Sequence, residues 1–287
     1  MTDLSKYKVS YIIVNFKSSE YIHQIISKLI NVSSSIYIVD CSNDYSRIKN
    51  ENVVKTKQNI GFGNAINLAV SQLKQNPEFL FFINPDVIFK IEDVEKMILS
   101  LSNKDYGAVV PISIGSNSSF KTSVFRSDIG VFEEIKMSFS SYKRSLVNDK
   151  LNANNDSIQV IEFIDASFCL VKYKCFTDSG GFPKNIFMYG EDLVLSDRLK
   201  KIGYKIILNK KLLIIHPGGA TFGGSILMKL KRLLYSSTGA GKAISIIRND
   251  KLTFFYVLSF LIILLVRKLL MNKSEIKIID VKKDSKK

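Results

Sequence analysis

The fold is decided by residues 80–87, which read Leu-Phe-Phe-Ile-Asn-Pro-Asp-Val. Together with Phe79, the apolar part is typical of a strand that is covered on both faces in a parallel sheet. Pro85 cannot donate a hydrogen bond to a sheet ladder, so we expect the strand to end there. This places the carboxylate of Asp86 at the carboxyl edge of a central strand, where open α/β sheets bind ligands. The alternative is a plain turn, because Asn, Pro and Asp all favour turns.

Alternating strand and helix patterns surround this stretch. Apolar runs predict strands at residues 8–15, 35–40 and 53–54, and apolar residues at helical spacing predict a helix after each of the first and third runs and another at about 91–101. Strands and helices that alternate with short connections indicate a parallel sheet with crossover helices, and therefore an α/β fold. The strand at 35–40 also ends in a carboxylate, Asp40, which we expect at the same sheet edge as Asp86.

The second half of the sequence shows weaker patterns. Residues 113–159 have little periodicity, and only one helix is predicted there, near 132–146. Order returns with a predicted strand pair in 160–171, a helix that begins at Glu191, and two strands at 204–208 and 212–216.

Charge is concentrated at the carboxyl end of the chain. From residue 221 onward there are fourteen Lys or Arg against four Asp or Glu, so +10 of the formal net charge of +15 lies in this quarter. Such asymmetry indicates an anionic partner. The sequence contains no nucleic-acid-binding module, which favours a membrane surface over nucleic acid. The chain is therefore divided into an α/β domain, 1–220, and a basic, apolar helical tail, 221–287.

An apolar run in this tail supports membrane association. Residues 252–266 form fifteen mostly apolar positions between Lys251 and Arg267-Lys268. A bilayer span needs about twenty residues, so we expect a helix that lies in an anionic membrane interface. A helix buried in the core or in a homodimer is the alternative. The tail is accordingly expected to be dispensable for binding a soluble ligand at the sheet edge.

The cysteines bear on the compartment. Cys41, Cys169 and Cys175 have neither metal-ligand spacing nor an even number for pairing, and residues 1–8 are polar rather than a signal peptide. A reducing bacterial cytoplasm is the expected environment.

Six polar residues stand at the ends of apolar elements, and they are the first candidates for chemistry. Carboxylates and an imidazole could hold Mg²⁺ or Mn²⁺ against a diphosphate, and a carboxylate at a helix start could act as a general base. Helix capping is the alternative for Glu191 and Asp192, and a structural role is the alternative for His216. Two glycines before a helix could also let the backbone approach a ligand. The polar candidates are Asp40, Asp86, Asp165, Glu191, Asp192 and His216, and the glycines are Gly61 and Gly63.

Taken in order, the motifs of the chain resemble a known family. They are Val14-Asn15, Val39-Asp40 with Ser42, Asn59-x-Gly61-Phe62-Gly63 with Asn67, Asn84-Pro85-Asp86-Val87, Gly180-Gly181-Phe182, Phe187-Met188-Tyr189-Gly190-Glu191-Asp192, Arg198 and His216. Over about residues 8–219 the sequence resembles a family 2 inverting glycosyltransferase with a GT-A (Rossmann-like) fold, of the bacterial rhamnosyltransferase-like branch.

The resemblance implies a role for each matching residue. Asp192, with Glu191 beside it, matches the general base that deprotonates the acceptor hydroxyl. Asp86 and His216 match contacts to a divalent metal, Mg²⁺ or Mn²⁺, that bridges the donor diphosphate. The implied donor-binding residues are Asn15, Asp40, Asn59, Gly61, Gly63, Asn67, Asn84 and Asp86, and the implied acceptor-side residues are Asp165, Tyr189 and Arg198.

Two positions depart from the family pattern. Asn84 replaces the first acid of the Asp-x-Asp metal motif, and Val194 replaces the final acid of the Glu-Asp-x-Asp motif. The first departure weakens the implied metal site, and the second concerns acceptor contacts.

The implied function is the transfer of a sugar from dTDP-rhamnose or a UDP-hexose to a lipid-linked or surface glycan, such as lipopolysaccharide, at the cytoplasmic face of the inner membrane. A catalytically silent scaffold in a polysaccharide-assembly complex is the alternative.

Overall fold

The computed structural model describes residues 4–29, 35–47, 51–115, 120–121, 123–137, 139–152, 156–218 and 226–270. The strands are β1 (Val9–Asn15), β2 (Ser35–Asp40), β3 (Asn52–Lys55), β4 (Phe79–Ile83), β5 (Tyr106–Ile114), β6 (Ile158–Ile161), β7 (Phe168–Lys172) and β8 (Lys205–Ile215). The helices are α1 (Ser19–Leu29), α2 (Phe62–Ser71), α3 (Ile91–Ser100), α4 (Val131–Lys136), α5 (Ser140–Asn152), α6 (Tyr173–Asp178), α7 (Glu191–Lys201), α8 (Ile226–Arg248) and α9 (Thr253–Leu270).

One mixed sheet forms the centre of the fold. Within the described residues it has eight strands in the order β3-β2-β1-β4-β7-β5-β8-β6. The pairs β1–β2, β1–β4, β2–β3 and β5–β8 are parallel, whereas β7 and β6 run antiparallel to their neighbours. The predicted α/β fold with a mostly parallel sheet is confirmed, and the strands at residues 8–15, 35–40 and 80–83 lie where the apolar runs predicted them.

Strand β4 is buried on both faces, as its sequence predicts. Alternate side chains of a strand point to opposite faces, so Phe81 and Phe82 enter different cores. The Phe82 ring lies 5.5 Å from that of Phe176 and 5.6 Å from that of Phe182, measured between centroids. The Phe81 ring lies 4.7 Å from that of Phe168 on the other face. Aromatic packing on both sides therefore fixes the strand that leads to Asp86.

The structure corrects four sequence predictions after residue 100. The single helix predicted near 132–146 is two helices, α4 and α5. Strand β5 was not predicted, and its ladder with β8 is irregular at Pro111, which cannot donate a hydrogen bond. The strands predicted in 160–171 exist but do not pair with each other, because β6 pairs with β8 while β7 lies between β4 and β5. The two strands predicted at 204–208 and 212–216 are one strand, β8. The polar residues between them form an irregularity in which Asn209 Oδ1 accepts a hydrogen bond from Lys211 N at 3.0 Å.

The tail helices pack against the catalytic part of the chain. Helix α8 packs on α7, and α9 packs on α8 and α4. Phe260 of α9 is buried with Ile129, Phe163 and Ile244. Residues 219–225 and 271–287, which include the predicted domain boundary at 220, lie outside the described residues.

The opposite face of α9 is apolar and exposed. Among the described helices, none is sufficiently long and apolar to cross a membrane. The exposed side chains of the face are those of Phe254, Phe255, Leu258, Ile262, Leu265 and Val266.

Candidate active site

A cavity of about 500 Å³ opens at the carboxyl edge of the sheet. The turn after β4, the loop before β7, the start of α7, the end of β8 and the two tail helices line it. The structure therefore brings together residues that are far apart in sequence. The sequence-predicted residues that line the cavity are Asn59, Asn84, Asp86, Asp165, Tyr189, Glu191, Asp192 and His216.

Asp86 and His216 form a close pair in this cavity. A backbone bridge between Ile88 and Ile215 aligns their two segments, with N–H to O=C distances of 2.8 and 3.1 Å. His216 Nε2 then lies 3.3 Å from Asp86 Oδ1, and Gly218 N donates to Asp86 Oδ2 at 3.1 Å. Burial acts to raise the pKa of Asp86, but the hydrogen bond and charge of His216 outweigh it, and the pKa is lowered. Asp86 is thus held as a carboxylate.

The pair fits part of a divalent metal site. An Asp oxygen and a His nitrogen are suitable ligands for Mn²⁺, and His216 Nδ1 is buried without a hydrogen-bond partner. The neighbouring Asn84 supplies a neutral side chain to the same cavity. In the part of the chain that the structure describes, no three His, Cys, Asp or Glu side chains converge as metal ligands. A cation held here would therefore need further ligands from the substrate.

Glu191 and Asp192 occupy the first turn of α7. Gly190 precedes them in a left-handed conformation, with φ of 92°. Glu191 is buried, and its Oε2 has no hydrogen-bond partner. Asp192 Oδ1 accepts from Leu193 N at 2.9 Å, which is a local contact of the helix start. Backbone contacts at the helix start therefore leave at least one buried carboxylate oxygen, Glu191 Oε2, without a partner.

Burial and neighbouring carboxylates favour the protonated form of both acids. Burial, and then the charge of Asp192, raises the pKa of Glu191. Burial, and then the charge of Asp165, raises the pKa of Asp192. Raised carboxyl pKa values suit groups that accept and release protons near neutral pH. The start of α7 is therefore equipped for acid–base chemistry.

Asp165 and Tyr189 complete this side of the cavity. Asp165 Oδ1 accepts a hydrogen bond from Ser167 N at 3.0 Å, which fixes the carboxylate. Burial raises the pKa of Tyr189, while the charge and hydrogen bond of Arg232 oppose this effect. Both residues line the same cavity as Glu191 and Asp192, and their acceptor-side role stays a prediction.

Asn15 and Asp40 lie in a buried network and do not line the cavity. They face each other on β1 and β2, and Asn15 Nδ2 donates to Asp40 Oδ1 at 2.9 Å. The same Asn15 amide donates to Asp44 Oδ1 at 2.7 Å. Asp40 also accepts from the backbone of Ser42 and Tyr45, at 3.2 and 3.1 Å. Asn15 and Asp40 are buried, whereas the Asp44 side chain is exposed. Sequence analysis did not identify Asp44 as a candidate.

The other predicted donor loop is shaped by close packing. A Cβ at Gly61 would lie 1.8 Å from the carbonyl oxygen of Phe187, and its φ of +83° also favours glycine. A Cβ at Gly63 would lie 2.9 Å from Cβ of Phe182 and 3.3 Å from Cβ of Glu191. Asn59 Oδ1 accepts from Gly61 N at 3.0 Å. These glycines therefore let the loop approach the segment that carries the acids.

Two predicted residues serve the neighbouring turn rather than the cavity. Asn67 exchanges two hydrogen bonds with the backbone of Phe182, at 2.9 and 3.0 Å. Arg198 Nη1 donates to the carbonyl oxygen of Gly181 at 2.8 Å. Neither side chain lines the cavity, and the donor-side role of Asn67 and the acceptor-side role of Arg198 stay predictions.

The departure at Val194 has a packing explanation. Val194 is fully buried against Ile186 and Ala243. Its side chain faces the α7–α8 contact and not the cavity. An apolar residue at this position therefore supports the contact with the tail.

The tail is part of the site, which sequence analysis missed. Helix α8 contributes Arg232, Ser236 and Ala240 to the cavity lining. A Cβ at Gly239 would lie 1.9 Å from the carbonyl oxygen of Tyr189, so α8 touches the loop before α7 directly. The expectation that the tail is dispensable for ligand binding is revised accordingly. The glycines at 239 and 241 were the available sequence signal.

Comparisons with known proteins identify the family of the chain. Residues 10–171 match the sequence profile of glycosyl transferase family 2. The chain is 27% identical over 161 residues to Rhamnosyltransferase WbbL of Escherichia coli (strain K12), covering 51% of this chain and 56% of that protein. It is 25% identical over 195 residues to O-antigen chain rhamnosyltransferase WbaN of Salmonella anatum, covering 66% of this chain and 58% of that protein. The chain thus spans less than two thirds of the length of either curated relative.

Solved structures show the same fold. Glucosyl-3-phosphoglycerate synthase from Mycobacterium tuberculosis, solved with Mn²⁺, UDP and glucosyl-3-phosphoglycerate, gives a TM-score of 0.52 at 13% identity and covers 86% of this chain and 82% of that chain. S. aureus TarS 1-349 gives a TM-score of 0.51 at 16% identity and covers 91% of this chain and 72% of that chain. These likenesses concern the fold alone, and they confirm the predicted GT-A fold. Since the family profile matches more than half of the chain, the protein belongs to glycosyl transferase family 2.

Proposed function

We propose that the chain is an inverting glycosyltransferase that moves a sugar from a nucleotide-sugar donor to a hydroxyl group of a lipid-linked or surface glycan. One observation carries this function. A single cavity contains both a fixed carboxylate beside an imidazole, Asp86 with His216, and an acidic pair, the buried Glu191 with the half-buried Asp192. The first pair suits the diphosphate of a donor, and the second suits the hydroxyl of an acceptor.

Asp192 acts as the general base in this proposal. Its carboxylate accepts the proton of the acceptor hydroxyl while the hydroxyl oxygen attacks the anomeric carbon of the donor sugar. The bond between that carbon and the diphosphate oxygen breaks, so the nucleoside diphosphate leaves with the bonding electrons. Attack opposite to the leaving group inverts the configuration. The raised pKa of Asp192 makes the carboxylate a stronger base than an exposed Asp.

Asp86 and His216 are the residues that would hold Mg²⁺ or Mn²⁺, with Asn84 beside them. When bound, the cation supplies positive charge to the departing diphosphate. Support comes from the donor set of the pair and from the fold, because the similar glucosyl-3-phosphoglycerate synthase was solved with Mn²⁺ and UDP. Asn84 replaces the first acid of the metal motif with a neutral side chain. We therefore propose that the metal binds weakly.

The donor is dTDP-rhamnose or a UDP-hexose. The names of the curated relatives, a rhamnosyltransferase and an O-antigen chain rhamnosyltransferase, support the first donor and a polysaccharide acceptor. We further propose that the protein is peripheral on the cytoplasmic face of the inner membrane and acts on a lipid-linked acceptor. The exposed apolar face of α9 supports this attachment.

The test uses full-length protein and a panel of radiolabelled nucleotide sugars, each with Mn²⁺ and with EDTA. Bacterial membranes serve as the source of acceptor. We expect one donor to release its nucleoside diphosphate and to label the membrane lipid fraction. If every donor fails to bind and to turn over, the enzyme proposal is wrong and the silent scaffold, which Asn84 favours, takes its place.

A further inference from the structure

Two cationic side chains, Lys121 and Arg232, line the same cavity as Asp86 and His216. They come from separate parts of the chain. Lys121 follows the bridge beside β5, where its backbone N–H donates to the carbonyl oxygen of Ser113 at 2.8 Å. Arg232 lies on α8, in the tail. Neither residue belongs to the motifs by which the family was recognised in the sequence.

The ammonium group of Lys121 lies close to Asp86. Lys121 Nζ is 3.4 Å from the point that a Cβ on Gly218 would occupy, and Gly218 N donates to Asp86 Oδ2 at 3.1 Å. Burial lowers the pKa of Lys121, and the charges of Asp165 and Asp86 oppose that effect. Among the described residues, no carboxylate lies within the 4.0 Å of a salt bridge to Lys121. The ammonium is therefore partly desolvated, and within the described part of the chain no ion-pair partner contacts it directly.

Arg232 lies on the tail side of the cavity. Its guanidinium interacts with the hydroxyl of Tyr189, which is a neutral group at physiological pH. Lys121 and Arg232 therefore face one cavity, which also holds the carboxylates of Asp86 and Asp165. A diphosphate bound in this cavity has several anionic oxygens and could accept hydrogen bonds from both cations at once.

We propose that Lys121 and Arg232 bind the diphosphate of the nucleotide-sugar donor and supply positive charge that the Asp86–His216 pair alone does not provide. This inference rests on the proposed function and deepens it. The nearness of Lys121 to Asp86 favours the donor diphosphate over the diphosphate of a lipid-linked acceptor. It also explains how a site with Asn84 at the first metal-motif position can stabilise a departing nucleoside diphosphate.

The test measures the binding of UDP and dTDP to the full-length protein by calorimetry, with EDTA and with Mn²⁺. The variants are Lys121→Met and Arg232→Met, and Lys121→Arg keeps the charge. The matched controls are Lys174→Met and Arg144→Met, which change exposed residues outside the cavity lining. We expect each cavity variant to weaken nucleotide binding by about 10- to 100-fold, as for the loss of one charge-assisted hydrogen bond. Lys121→Arg and the controls should remain within a few-fold of the wild type.

A second set of measurements distinguishes the donor diphosphate from the acceptor diphosphate. It also distinguishes failure of this inference from failure of the proposed function. Wild-type affinity for UDP and dTDP in both cavity variants, with unchanged thermal unfolding, overturns the inference. Loss of binding to a short-chain prenyl diphosphate with unchanged nucleotide binding also overturns it and assigns the cations to the acceptor. If the wild type hydrolyses a donor while the cavity variants bind normally, only the inference fails. If the wild type binds no nucleotide at all, the proposed function fails with it.

Discussion

Asp86 and His216 lie 130 positions apart in the sequence, yet His216 Nε2 is 3.3 Å from Asp86 Oδ1. The ends of β4 and β8 place them there, because Ile88 and Ile215 pair through both backbone groups. The contact therefore depends on a short bridge just outside the regular strands. It is the geometric basis for assigning the diphosphate side of the cavity.

Asp86→Ala should weaken the binding of both the metal and the nucleotide sugar. The change removes the carboxylate that contacts His216 and Gly218 N, and leaves the buried imidazole without this partner. Calorimetric titration with UDP, with and without Mn²⁺, measures the effect. Asp178→Ala, which removes an exposed carboxylate on α6, is the control. Unchanged, metal-dependent nucleotide binding in Asp86→Ala would refute the role of Asp86.

Asp192→Asn should abolish transfer and leave donor binding nearly intact. Removing a general base typically lowers the rate by about 10²–10⁴-fold. The matched control is Asp197→Asn on the same helix, where the carboxylate pairs with Lys201 at 2.8 Å. Single-turnover transfer and nucleotide binding are measured in parallel. A transfer rate within a few-fold of the wild type would show that Asp192 is not the base.

Glu191→Gln should stabilise the protein at alkaline pH. The folded-state pKa of Glu191 is raised by burial and by the charge of Asp192, so the folded protein binds the proton more tightly than the unfolded chain does. The associated stability is fully present below the unfolded pKa and is lost as the pH rises through the folded pKa. Glutamine stays neutral, so the difference in unfolding free energy between variant and wild type should grow with pH.

Urea unfolding at several pH values measures this difference. The exposed Glu20 in the first turn of α1 gives the control, Glu20→Gln. A pH-independent difference between Glu191→Gln and the wild type would contradict the raised pKa.

Gly239→Ala should reduce both stability and activity. The new methyl group would lie 1.9 Å from the carbonyl oxygen of Tyr189 and 2.3 Å from that of Met188, so α8 or the loop before α7 must move. Overpacking of this kind typically costs about 1–3 kcal/mol. Thermal unfolding and transfer assays are compared with those of Thr238→Ala, the neighbouring change on α8. Normal activity in Gly239→Ala would mean that this contact does not position the loop.

Charges on the exposed face of α9 should prevent membrane binding. We expect the full-length protein to sediment with anionic vesicles at low salt, and the triple variant Phe254→Glu, Leu258→Glu, Ile262→Glu to bind at least about tenfold more weakly. Leu99→Glu places the same charge on an exposed apolar residue of α3 and is the control. A wild-type protein that ignores such vesicles at low salt would rule out the attachment.

The first half of the fold could be predicted because its strands are buried on both faces. Continuous apolar runs ending in Asn15, Asp40 and Ile83 have few alternatives to a parallel sheet with helices on both sides. The second half was predicted less well for physical reasons. Strand β5 contains Gly107 and Pro111, which disfavour strands in a local pattern, and its neighbours stabilise it nonetheless.

The candidate site followed the same division. Asp86, Asp165, Glu191, Asp192 and His216 could be found because each follows or begins an apolar element. The buried positions of Asn15 and Asp40 could not be predicted, since the network that holds them depends on the β1–β2 register. The contribution of α8 was missed because its contact with the start of α7 is long-range. The only local sign of such a contact is the small residues that allow close packing.

If the protein is attached to a membrane as proposed, the two faces of α9 would limit the length of its acceptor. Phe260 and Leu264 line the cavity, whereas Leu258 and Ile262, two positions earlier in each case, lie on the far side of the helix and are exposed. If the exposed face rests on a bilayer, only one helix diameter, about 10 Å, separates the cavity wall from the membrane surface. A hydroxyl on the first or second sugar above a lipid diphosphate could reach the site without bending. The protein would then favour acceptors with one or two sugars on the lipid diphosphate over acceptors with longer glycans.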